Sequence, residues 1–99
     1  MSEWRLTPLA ENDITDIWRH TEQTWSAPQA ERYITLLFDA FDRIAAKPMQ
    51  GRPSDDIRPG YRRLAVGAHV VFYVAKPYGV DVVRILHQSM DIDAKFKSD

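Results

Sequence analysis

Three histidines (His20, His69, His87), three arginines set among apolar residues (Arg62, Arg63, Arg84) and the tyrosines Tyr61 and Tyr73 are the side chains of this 99-residue chain best equipped for chemistry. Imidazole titrates near neutrality and can move a proton, while guanidinium clamps phosphate or carboxylate oxygens. The spacing of the histidines matches no zinc site, and with no cysteine there are neither thiolate ligands nor disulfides. No glycine-rich phosphate loop and no nucleophile elbow are present. The carboxylate pairs Asp55-Asp56 and Asp91/Asp93 fall in a loop and near a terminus, where solvation explains them better than acid–base work. His69 sits beside a turn, and His87 ends an apolar strand, a place suited to a hydrogen-bonded structural histidine. No metal is expected, and the ligand motifs that would mark a cofactor site are mostly missing.

Most of these residues lie in one stretch, Tyr61 to Asp91, which reads as three strands separated by turns at Gly67 and Gly79. Upstream, Trp4-Arg5-Leu6-Thr7 reads as a short strand stopped by Pro8. Ile14, Ile17, Trp18, Thr21 and Trp25 then recur at spacings of three and four, predicting a helix from about Ala10 or Asn12 to Trp25, with Asn12 and Asp13 near its start. Ser26 and Pro28 mark a second helix start, with Gln29 placed as in a capping box. Ala30, Tyr33, Ile34, Leu37, Phe41, Ile44 and Ala45 line one face of it up to Pro48, so the two helices should pair as an antiparallel hairpin. The segment from Pro48 to Gly60, rich in proline and glycine, reads as a loop anchored by Ile57. The expected fold is α+β: a short N-terminal strand, a helical hairpin and a three-stranded antiparallel meander, in a single domain spanning 1–99 with 94–99 as a polar tail.

Thirteen basic and fourteen acidic residues give a net charge of −1, so no global field attracts a polyanion, and direct sequence-specific nucleic-acid binding is not expected. No apolar run approaches the roughly 20 residues of a membrane span, and no N-terminal stretch has the composition of a secretory signal, which makes the cytoplasm the expected location.

Alternation along the strands places Leu64, Val66, Val70, Phe72, Val74, Val83 and Ile85 on a core face under the helices. Tyr61, Arg63, His69, Val71, Tyr73 and Arg84 then share the opposite face, with a composition close to that of protein–protein hot spots. Arg62 falls on the core side, which calls for a strand end or a bulge. Arg63 and Arg84 could pair with Asp81 or with glutamates on the sheet surface.

In this order of elements, several local blocks resemble the ParE branch of the RelE/ParE toxin superfamily. They are Leu6-Thr7-Pro8, Asp13-Ile14 with Ile17 and Trp18, Trp25, Ala30 with Tyr33, Pro48 with Gly51-Arg52-Pro53, Pro59-Gly60-Tyr61-Arg62, His69 to Tyr73, and Arg84 to Asp91. The last block, Arg-Ile-Leu-His-x-x-Met-Asp after a Val-Phe-Tyr strand, is the most specific. The resemblance implies the toxin of a type II toxin–antitoxin pair, a non-enzymatic protein that poisons DNA gyrase by binding it on cleaved DNA and is neutralised by a ParD-like antitoxin. On that reading the antitoxin would lie over Tyr61, Arg63, Val71, Tyr73 and Arg84, with Val82 also needing cover, and gyrase would meet His87, Gln88, Met90, Asp91 and Phe96. The alternative within the superfamily is a RelE-like ribosome-dependent messenger-RNA endoribonuclease, for which Arg62, Arg63, Tyr73, Arg84 and His87 would form the site. Gln88, Ser89 and Met90 stand where that branch would carry a basic residue, and the charge of −1 also argues against it. A further alternative is a relative that binds its antitoxin without being toxic.

Overall fold

In the computed structural model, which describes residues 2–97, β1 (Glu3–Leu6) passes into α1 (Pro8–Thr24) through the single residue Thr7. Thr7 Oγ1 accepts the Ala10 N–H at 3.1 Å and donates to the Val83 carbonyl at 2.9 Å, so one side chain caps the helix and ties its start to the sheet. Pro8 occupies the first helical turn, where its missing N–H has no partner to lose. The helix therefore starts at the proline, ahead of Ala10 or Asn12, and the cap is Thr7 instead of Asn12 or Asp13.

Ser26 caps α2 (Ala27–Ala46) as expected, its Oγ accepting the Gln29 N–H at 3.1 Å, and Ala30, Ile34, Leu37, Phe41, Ile44 and Ala45 are all buried along one face. Lys47 closes the helix just before Pro48. On α1, Ile17 is buried, and Ile14 and Trp18 pack on the core from its rim. Trp25 does not continue the stripe: it caps α1 and is 75% exposed.

The hairpin covers one face of a five-stranded mixed sheet of order β1-β5-β4-β3-β2. Its centre is the antiparallel meander of β3 (Tyr61–Val66), β4 (His69–Lys76) and β5 (Gly79–His87). β1 runs parallel to β5 at one edge, Glu3 opposite Gly79 and Leu6 opposite Val82. At the other edge the Pro48–Gly60 segment, expected as plain loop, contributes a 3-10 turn and the two-residue strand β2 (Arg52–Pro53), and Ile57 anchors it against apolar residues of the sheet.

The face assignment of the sheet needs correction. Leu64 and Val66 of β3 do face the helices, but β4 carries the opposite parity: Val71 and Tyr73 belong to the core beneath the hairpin, and Val70 and Phe72 look the other way. A strand repeats every two residues, so an error of one exchanges its entire face. In β5 the register shifts opposite Phe72 and Tyr73, leaving Val83 unpaired between Val82, which faces the helices, and Arg84. Val82 and Ile85 are core, while Val83 joins Phe72 on the far side.

That far side is covered as well. Residues Ile92–Lys97, which include part of the expected polar tail, form α3, and Phe96 is buried against Phe72 and Tyr61 with ring centroids 5.0 and 5.9 Å away. Ser98 and Asp99 lie outside the described residues. A six-residue helix has little stability of its own, so α3 exists because Phe96 and Ile92 bury themselves against the sheet.

Candidate functional site

Gly67, with φ +57°, turns the chain from β3 into β4, and any Cβ there would meet the Tyr33 ring of α2 at 2.8 Å. The turn is held down by that ring. The Tyr33 hydroxyl accepts the Ala68 N–H at 3.0 Å, lies 2.6 Å from His69 Nδ1 and reaches the Val66 carbonyl at 3.4 Å. His87, opposite His69 in the ladder, packs edge-on against it with centroids 5.2 Å apart. Its Nδ1 accepts the Ser89 N–H at 3.1 Å and contacts Ser89 Oγ at 2.7 Å, closing the turn that follows β5. The hydrogen-bonded role expected of His87 is observed. The role of His69 is larger than its position beside a turn suggests.

Burial, with the neighbouring His87 adding to it, pushes the His69 imidazole down to about 4, and Asp13 only partly offsets this. His69 is therefore neutral at pH 7. Together with His20, Trp25 and Tyr33 the two imidazoles line a cleft of about 320 Å³ between the ends of the hairpin and the sheet. Among the described residues no group of His, Asp and Glu side chains is arranged to hold a metal ion.

Beside this cleft, Arg84 meets Asp13 of α1 through two bonds of 2.9 and 3.1 Å, and Asp13 also accepts the Ile85 N–H at 2.9 Å. Both side chains are nearly buried, 11% and 12% exposed, which makes this pair a fastening between helix and sheet. Arg84 thus pairs with a helix carboxylate and not with Asp81 or a glutamate. Arg63 pairs with Asp56 of the loop at 3.3 Å and donates to Ser54 Oγ at 2.7 Å.

A second polar centre lies midway along β4, at Tyr73. The Tyr73 hydroxyl accepts the Gly51 N–H at 2.7 Å and donates to the Pro48 carbonyl at 2.8 Å, and Arg62 donates to the Gly51 carbonyl at 2.7 Å. Arg62 therefore does face the helix side, without a bulge, because its head group reaches the loop backbone. Gly51 has to be glycine: a Cβ would lie 2.7 Å from the Arg63 carbonyl and 2.8 Å from Tyr73 Cε1.

These placements rearrange the residues expected to meet partners. Val71, Tyr73 and Val82 are fully buried, so they have no surface to offer. Tyr61 and Arg63 stay half-buried on the far face beside α3, and Arg84 is bound to Asp13. Of the C-terminal block, Gln88, Met90 and Asp91 are exposed and His87 is half-buried, but Phe96 is an anchor of α3 with almost no accessible surface. The five residues of the nuclease alternative do not converge. Arg62 and Tyr73 lie at the loop end, Arg63 on the far face, Arg84 in its ion pair, and His87 lies opposite His69, four residues and roughly 13 Å along the ladder from Tyr73. Tyr33, Gly51 and the pairing of Asp13 with Arg84 were not foreseen as parts of these centres; the signs available were Arg62, already on the core side of β3, and His69, which the corrected β4 parity puts on the helix side.

Comparison with known proteins follows the same lines. A family profile described as ParE toxin of type II toxin-antitoxin system, parDE, matches residues 4–92. Toxin ParE1 of Mycobacterium tuberculosis is 47% identical over 93 residues, covering 93% of this chain and 95% of that protein. Toxin ParE1 of Caulobacter vibrioides is 43% identical over 94 residues, covering 95% and 97%. Among solved structures, a chain of the chromosomal ParDE TA system from P. aeruginosa superposes with a TM-score of 0.74 at 18% identity, over 88% of this chain and 96% of that one, a likeness of fold.

Proposed function

This chain belongs to the ParE toxin family of type II toxin–antitoxin systems, and from that premise we propose that it acts in the cytoplasm by binding and poisoning DNA gyrase and is held inactive by a ParD-like antitoxin. The observation that carries the reading is the contrast between its two sets of polar residues. The side chains a nuclease would need are spent on structure: Tyr73 on the loop backbone, Arg84 on Asp13, Arg62 on Gly51. The block from His87 to Asp91, by contrast, is displayed on a turn fastened by the His87–Ser89 bonds, with Met90 42% exposed. An ordered turn bearing an apolar residue suits binding, because little conformational entropy remains to be lost on contact.

Gyrase is accordingly proposed to meet Gln88, Met90 and Asp91, with His87 holding their turn. The antitoxin is proposed to reach Tyr61 and Arg63 on the far face; buried Val71, Tyr73 and Val82 drop out of that surface. Met90→Asp places a charge on the proposed contact without touching the core. It should raise the concentration needed to inhibit gyrase supercoiling at least tenfold at unchanged stability, and inhibition equal to the parent's would remove Met90 from the interface.

A further inference from the structure

Charge is unevenly distributed along this chain. Residues 43–63 hold six basic side chains (Arg43, Lys47, Arg52, Arg58, Arg62, Arg63) against only Asp55 and Asp56, a local charge of +4, which leaves −5 for the rest. Three of the six are committed: Arg58 to the Phe96 carbonyl, Arg62 to Gly51 and Arg63 to Ser54 and Asp56. Among the described residues, Arg43, Lys47 and Arg52 are exposed and form no salt bridge.

Two of these three border an open groove of about 840 Å³ where α2 ends, whose other walls are Ala46, Pro48, Met49 and Gln50. Met49 is 70% exposed there, beside exposed Ala46 and half-buried Pro48. A cation in the last turn complements the helix dipole, but that dipole amounts to only about half a negative charge, and two full positive charges exceed it.

We propose that this groove is a docking site for an acidic peptide segment of a partner protein, with an apolar side chain seated on Met49 and its carboxylates meeting Arg43 and Lys47. The charge of the groove selects the occupant. A second copy of this chain would bring a surface of net negative charge only by excluding its own basic segment, and a purely apolar segment would leave the cations unmatched. The volume accommodates one or two anchoring side chains, and methionine adapts its shape to what it covers. The proposal does not depend on gyrase or on the position of the antitoxin.

Met49 also supplies the test. With methionine methyls labelled, the full-length protein is titrated with a synthetic peptide that sets two leucines, four residues apart, among glutamates, and with the same peptide carrying lysines for the glutamates. The expected result is a saturable shift of the Met49 methyl with the acidic peptide only, no shift of the exposed Met90 methyl, and affinity falling about tenfold when salt screens the contact. The double variant Arg43→Gln, Lys47→Gln, which removes both charges at exposed positions without placing a negative charge at the helix C-terminus, should fold normally and lose the shift. Equal shifts with both peptides, movement of Met90 as well, no shift at all, or a Met49 shift that follows protein concentration without peptide would each overturn the proposal.

Discussion

Tyr73 illustrates how far one side chain's meaning depends on which way its strand faces. On an exposed face it would be a contact residue; beneath the hairpin its hydroxyl holds the Gly51 N–H and the Pro48 carbonyl and so fixes the loop that leads to β2. Tyr73→Phe keeps the ring and leaves the buried Gly51 N–H without a partner, and should lower unfolding stability by about 1–3 kcal/mol, read from urea denaturation. A stability loss under a few tenths of a kcal/mol would mean that the loop finds another partner. His69 carries the pH sensitivity. Its imidazole is held near 4 in the folded chain against 6.5 when unfolded. Between those values the unfolded chain binds the extra proton, so this contribution is complete above about pH 6.5 and is lost progressively as pH falls towards 4. Urea midpoints measured at pH 7.5 and 5 should fall on acidification, and fall less in His69→Gln; equal slopes for the two proteins would remove His69 from the titration.

Among the elements, α3 has the smallest intrinsic stability and the clearest anchor. Phe96→Ala should cost about 3 kcal/mol and strip amide protection from Ile92–Lys97 while the strands of the meander keep theirs, by hydrogen exchange. Protection of α3 equal to the parent's would show that Ile92 alone suffices. The element order, the Ser26 cap, the stripe of α2 and the meander were legible because each rests on local signals: a capping residue, a 3.6-residue period, a turn glycine. The parity of β4 was not, because Val70-Val71-Phe72-Tyr73-Val74 is apolar at both parities. An unbroken run of that kind marks a strand covered on both faces, and the second cover, α3, lay in a segment whose charged residues read as a tail. The β5 bulge compounded this by interrupting alternation at Val83. The Pro8 start was misread for a related reason, since one proline can end a strand and begin a helix.

At the scale of the whole molecule, two polar centres stand at the start and the middle of β4, and each fastens the sheet to a different part of the chain. The helical end joins His69, His87 and the Asp13–Arg84 pair to the hairpin; the loop end joins Tyr73 and Arg62 to the segment after α2. Catalytic constellations require their groups to converge within hydrogen-bond reach. Here the arginines and tyrosine that were candidates for such a site act as fastenings, and the exposed features include an ordered C-terminal turn and a basic apolar groove, both suited to binding. Composition could not foretell that division, because the commitment of each arginine depended on tertiary contacts such as Asp13 to Arg84, 71 positions apart.

The action proposed for this ParE-family chain is to engage gyrase, with no cleavage of its own. The most direct measurement adds the purified protein to DNA gyrase and supercoiled plasmid, follows supercoiling and trapped cleaved DNA, and runs a ribosome-dependent messenger-RNA cleavage assay at the same concentrations. The expected result is loss of supercoiling with accumulation of gyrase-bound cleaved DNA and intact RNA; RNA cleavage with gyrase unaffected would make the chain a nuclease and overturn the proposal.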